Sequence, residues 1–164
     1  MESPEIQVTS SKLGWILESI SIAGMIGIVL LVAYSFNLLP QNIPTHYDLA
    51  GRPDAINGKG SLLILPVLSI FLYTILTVAP RATRGWNYPV PITEENAARQ
   101  HGNTIMMLRV FKPLIMMILL YVTFAVVQNG LGKMDGMSIW FIPVTMVSVF
   151  GTIGFFLRRA FVLK

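Results

Sequence analysis

Four long apolar stretches constrain this chain more than any other feature. The charge-free run 19–39 is followed by 61–79, closed by Pro80, then by 113–127 and by 137–157. An α-helix rises about 1.5 Å per residue, so roughly 20 residues cross a hydrocarbon core of about 30 Å. Backbone polar groups in lipid must be satisfied within their own segment, which makes these runs helices rather than open strands. Hydrophobic residues form 54% of the sequence and charged residues only 12%, against about 25% charged in a soluble domain. Four such helices in 164 residues leave too little polar surface to cover them in water. The expected fold class is all-α: a polytopic membrane protein forming one membrane domain over residues 1–164. Its transmembrane helices are expected at 15–39, 61–79, 105–128 and 137–157, the third extended backward from its short charge-free run.

Lysine and arginine placement predicts the orientation. Arg81, Arg84, Arg99, Arg109 and Lys112 lie between the second and third spans, Arg158, Arg159 and Lys164 follow the fourth, and Lys12 precedes the first. Only Arg52, Lys59 and Lys133 fall in the other two loops. The positive-inside rule then puts both termini and the segment 80–112 in the cytoplasm, and the loop 40–60 outside. The first run is longer than a signal-peptide core, is preceded by one lysine against Glu2, Glu5 and Glu18, and has no clean small-x-small cleavage site after it, so it reads as a retained span. The net charge of +4 comes from residues flanking spans, which fits topology and anionic lipid rather than nucleic acid. There are no cysteines, and hence no disulfide, thiolate metal site or thiol switch.

Residues 1–12 read as a polar, mobile tail. Trp15 suits the membrane interface, and Glu18, a turn further in, is expected at headgroup level near Arg109 or Lys112. Gly24 and Gly27 would allow another helix close, although their spacing is not the small-xxx-small pattern. Pro66 and Pro143 each lie about six residues into an outside-to-inside span, where a proline can kink a helix; the match hints at two related hairpins. On the cytoplasmic side, Asn87-Tyr88-Pro89-Val90-Pro91 should be extended. Thr93 can cap a helix whose positive end Glu94 and Glu95 complement. Ala98, His101, Ile105 and Leu108 then recur at helical spacing. An amphipathic helix is expected to lie on the membrane there and run into span three, bent at Pro113. The loop 128–136 reads as a plain turn.

The loop 40–60 is the best clue to function. Pro40, Pro44 and Pro53 fix backbone angles, Gly51 and Gly58 permit tight turns, and Asn57-Gly58 is a two-residue turn signal, so the segment should be ordered. On an extended backbone His46 and Asp48 point to the same side, with Asp54 further along. They could bind a cation, exchange a proton or hold a polar ligand, or they could simply bond the loop's own backbone. One histidine with two carboxylates is an incomplete metal signature, and His101 lies across the membrane from it, so neither a metal nor a cofactor is expected.

The string Leu39-Pro40, Ile43-Pro44-Thr45-His46-Tyr47, Gly51-Arg52-Pro53-Asp54, Gly58-Lys59 resembles the outward loop of the SdpI-type bacterial membrane proteins, whose namesake confers immunity to a sporulation-delaying toxin. The resemblance covers about the first half of the chain. The segment Asn87-Tyr88-Pro89-Val90, Thr93-Glu94-Glu95-Asn96 also looks like one in shorter members. The immunity protein proper carries a second membrane domain with no recognisable counterpart in these residues. The resemblance therefore implies fold, topology, a bacterial cytoplasmic membrane and a ligand-facing loop more than it implies immunity. It makes His46, Tyr47, Asp48, Arg52, Asp54 and Lys59 candidate ligand contacts, and Asn87, Tyr88, Glu94 and Asn96 candidate contacts for a cytoplasmic partner. Three functions follow. A non-enzymatic binder or sensor of an extracytoplasmic peptide or small ligand is the leading one. A small transporter or channel, assembled from several copies, is the alternative, against which stands the lack of charge at the span centres. An intramembrane enzyme is not expected, because no Gly-x-Ser-x-Gly, His-Glu-x-x-His or phosphate-cradling glycine loop is present.

Overall fold

A computed structural model describes residues 12–81 and 86–164. The tail 1–11 and Arg84, both used above, lie outside the described residues. Six elements follow one another: α1 (Lys12–Ser35), β1 (Asn42–Tyr47), β2 (Pro53–Gly58), α2 (Ile64–Val78), α3 (Ala97–Gly130) and α4 (Phe141–Val162). A 3-10 turn over Lys59–Leu63 leads into α2, and another over Ala79–Arg81 leaves it. The four apolar helices are long enough to cross a membrane, the second when counted over Lys59–Arg81. Many of their large side chains face outward, Val147 at 74% and Val67 at 67% exposed among them. The chain is a multi-pass membrane protein, and its outer helical surface is lipid contact.

In lipid an apolar residue gains little by turning inward, so small and hydroxyl residues mark the packed face. The buried positions of α1 are Ser21, Gly24, Ile28, Val32 and Ser35, spaced three or four apart along one stripe. This stripe packs along α3, the hub of the fold, which also touches α2, α4 and β1. Gly24 lies against Met116 and Gly27 against Leu120, so the two glycines do permit the close approach. Ser21, Ser69 and Thr123 are buried in the spans, and each hydroxyl donates to a carbonyl of its own helix.

Three local expectations need correction. Pro66 and Pro143 are each the third residue of their α-helix, in the first turn. The N–H that a proline lacks there has little to lose, so both serve as helix starts rather than kinks. The helix expected to lie on the membrane is the first part of α3, which runs unbroken through Pro113 for 34 residues. At 1.5 Å per residue α3 spans about 51 Å, so its N-terminal portion projects beyond a hydrocarbon core of about 30 Å instead of turning along it. Finally, the outer loop is a β-hairpin. Its turn is at Asp48–Arg52, not at Asn57-Gly58, which belongs to β2.

Candidate functional site

The hairpin stands at the end of the bundle where α1 finishes and α4 begins. The chain leaves α1 through turns closed on Ser35, and Lys59 Nζ reaches back to donate to the carbonyls of Phe36 (3.2 Å) and Leu39 (3.4 Å). It therefore caps α1, where a cation meets the negative end of the helix, and it lies over the Phe36 ring. The strands pair antiparallel with a register shift around His46. Pro44 and Pro53 are tolerated because each strand of a two-stranded ribbon has an unpaired edge. Ile43 is fully buried, packed with Val32, Leu39, Leu62, Val126 and Val127, and pins the hairpin to the helices. Its burial is worth about 1.5–3 kcal/mol.

At the tip, Gly51 has φ +80°, and its carbonyl accepts from the Met137 amide at 2.7 Å. The loop before α4 is thus a docking surface for the hairpin rather than the plain turn expected. Asn129 holds that loop in shape. Its side-chain amide donates to the Gly136 carbonyl (3.1 Å), and its oxygen accepts from the Gly136 amide (2.5 Å). The density of glycines at 130, 132 and 136 beside an asparagine was the available sequence signal. The positive φ of Gly132 and Gly136 shows the use made of two of them.

The six predicted contacts separate. His46 Nδ1 pairs with Asp54 Oδ1 across the strands at 2.5 Å, and the histidine side chain is 71% exposed. Thr45 and Asn57 bond beside them at 2.6 Å. Asp48 is the turn's scaffold: it accepts from the amides of Arg52 (2.8 Å) and Ala50 (2.9 Å) and from the Arg52 guanidinium (2.9 Å). The Arg52 amide above all, with the guanidinium and the Ala50 amide, holds the Asp48 carboxyl below its ordinary range. Tyr47 points inward; its hydroxyl is buried beside Asn129 without a hydrogen bond of ordinary geometry, and burial pushes its pKa up to about 12. Lys59 lies on the helix side. Of the backbone residues, Gly51 shapes the turn, whereas Gly58 is in ordinary extended backbone at φ −60° and Pro40 is exposed ahead of β1. What remains open to a ligand is a cleft of about 190 Å³ between the hairpin and the start of α4, lined by His46, Asp48, Leu49, Ser138, Phe141 and Ile142 among others. Among the described residues no group of three or more His, Asp and Glu side chains is arranged to hold a metal.

At the opposite end the segment before α3 folds on itself. Asn96 is 4% exposed and bonds to the Thr93 amide and the Pro91 carbonyl, so it is held inside its own loop. Tyr88 bonds His101 at 3.0 Å, burial pushes its hydroxyl pKa up, and Trp86 stacks on the same imidazole. Of the four proposed partner contacts, Asn87 and Glu94 are exposed. Gln100 and Asn103 donate to the carbonyls of Ala160 and Phe156 near the end of α4, fixing that helix to α3.

The family described as "Domain of unknown function (DUF1648)" matches residues 23–70, which hold the second half of α1, the whole hairpin and the first part of α2. No curated protein and no solved structure matches the chain.

Proposed function

We propose that this is a non-enzymatic membrane protein that binds a peptide outside the cell, in an immunity or signalling role like that of the SdpI-type proteins. The observation that carries the reading is the cleft beside His46. It is roofed by a hairpin fixed to the bundle through Ile43, Gly51 and Lys59, a rigid platform of the kind on which binding loops are built. Its volume of about 190 Å³ is below the roughly 300–1,000 Å³ of small-molecule pockets, and suits one side chain of an extended ligand. The walls are apolar on the α4 side and polar at His46 and Ser138, which favours an amphipathic peptide. Asp54 orients the imidazole, while Asp48 and Arg52 hold the turn. The excess of basic residues at the other end supports an extracytoplasmic position for the cleft.

The test is to delete the gene and challenge the cells with secreted antimicrobial peptides. Sensitivity should rise, and be restored by the wild-type chain but not by His46→Ala expressed at the same level. Unchanged sensitivity on deletion, or full rescue by His46→Ala, overturns the reading. With no native cysteine, a single-cysteine variant at position 46 should react with an impermeant maleimide from outside. The alternative, a transporter or channel, has less support. The mid-span hydroxyls named above are spent on their own helices, and the charged groups lie at the two ends.

A further inference from the structure

At the basic end, α1, α2 and α3 enclose a cleft of about 320 Å³ lined by Trp15, Glu18, Thr77, Arg81, Arg109 and Lys112. Within it Glu18 and Lys112 neutralise each other. The lysine ammonium donates to Glu18 Oε2 at 2.5 Å and to Thr77 Oγ1 at 3.1 Å, and the Tyr73 hydroxyl donates to the other carboxylate oxygen. Arg109 also feels the Glu18 charge. Among the described residues lining the cleft, three cations, Arg81, Arg109 and Lys112, still face that one carboxylate, a net charge of +2. From Lys112 to the end of α3 is 18 residues, about 27 Å, so the cleft lies close to the edge of a core of about 30 Å whose far edge is the hairpin end. Charge at such a boundary calls for a counter-charge.

We propose that this cleft binds the phosphate headgroup of an anionic membrane phospholipid, with the guanidinium groups of Arg81 and Arg109 as its ligands and the Glu18–Lys112 pair lining the same cleft. A guanidinium presents a planar fork of donors matched to two phosphate oxygens. The source is a lipid rather than a free phosphate because the rim is apolar and outward-facing. Trp15 is 66% exposed, Ile16 56% and Val78 48%, which gives acyl chains a surface along α1 and α2 while the headgroup enters between them. The site stands apart from the outer cleft and does not depend on what binds there.

The experiment uses the full chain in nanodiscs of phosphatidylcholine containing a minority of phosphatidylglycerol, with lipids retained on release counted by native mass spectrometry. Phosphatidylglycerol should be retained in preference to phosphatidylcholine, and Arg81→Gln/Arg109→Gln should weaken that retention about 30-fold, from about a fivefold contribution per basic residue near an anionic surface. Arg158→Gln/Arg159→Gln, which changes the same charge elsewhere at this end, should leave it unchanged. Equal loss in both double variants means a diffuse surface field and overturns the site. Displacement of the lipid by millimolar inorganic phosphate assigns the cleft to a soluble anion and overturns the lipid assignment. Should the first double variant not fold, the wild type alone decides, since no preference for phosphatidylglycerol over phosphatidylcholine rejects the proposal.

Discussion

The two ends of this molecule solve the same problem, fixing polar groups near a membrane, in opposite ways. At the hairpin end the charged pairs are local and exposed: Asp48 with Arg52 four residues on, His46 with Asp54 eight residues on. What attaches that end to the bundle involves no charge pair: the buried Ile43, the Gly51–Met137 backbone bond, the Asn129 clamp, and the Lys59 ammonium, which donates to neutral carbonyls at the end of α1. At the basic end a charged pair joins α1 to α3 across 94 residues of sequence, and the ammonium is almost wholly enclosed. Where water is at hand, a charge can be satisfied by its neighbours and contributes little to the fold. Where water is scarce, the partner has to be brought from another helix, and the pair becomes a register lock.

The largest expected effect breaks that lock. Glu18→Ala leaves the Lys112 ammonium buried with only Thr77 and the face of the Tyr73 ring; removing one member of a buried pair costs about 3–5 kcal/mol, and the lower end, about 3 kcal/mol, is expected because the Glu18 side chain is 31% exposed. Glu18→Gln/Lys112→Met should recover most of the loss, because an apolar replacement of both members leaves no charge unpaired. Thermal unfolding in a mild detergent measures both. A single variant as stable as wild type would mean that the pair is solvated, and the contrast between the ends would collapse.

Those same residues show what could be read from the sequence. The four helices were legible because uninterrupted apolarity needs no knowledge of the partner. Glu18 with a basic partner was legible because a lone carboxylate beside a span has few partners to choose from. The hairpin's order was legible from its prolines and glycines, but its turn was not. Asn57-Gly58 is the stronger local turn signal, and it lost to Asp48, whose carboxylate can take two amides and a guanidinium at once. The docking of Gly51 on Met137 was invisible because it is a contact between backbones. The candidate contacts divided for a related reason. A motif records which residues stand together along the chain, and alternation along a strand sends Tyr47 inward while His46 faces out.

Gly51→Ala sharpens the comparison at the neutral end, with an intermediate effect. A methyl group there meets a left-handed backbone and the main chain around Met137, neither of which can yield easily, so a loss of about 2 kcal/mol is expected together with release of the hairpin tip. Gly58→Ala, in open extended backbone, should stay within about 0.5 kcal/mol of wild type. Hydrogen exchange at the Met137 amide, which loses its acceptor only in the first variant, separates the two. Equal behaviour would place the decisive turn at Asn57-Gly58 after all.

The smallest effect is set by acid at the tip. The Asp48 carboxyl has its pKa lowered by the Arg52 amide, by the Arg52 guanidinium and by the Ala50 amide. A lowered folded-state pKa means that the turn's contribution is complete above the ordinary carboxylate value and is lost as pH falls through the lowered one. Faster exchange at the Ala50 and Arg52 amides should therefore set in only below the ordinary range, while the Met137 amide stays protected, because its bond to Gly51 carries no charge. Asp48→Asn keeps an acceptor for the amides but gives up the charge on the guanidinium, and should remove the pH dependence while leaving the fold intact. If Met137 loses protection together with Ala50, the tip and its docking are one cooperative unit, and the division between local charge and neutral attachment does not hold at that end.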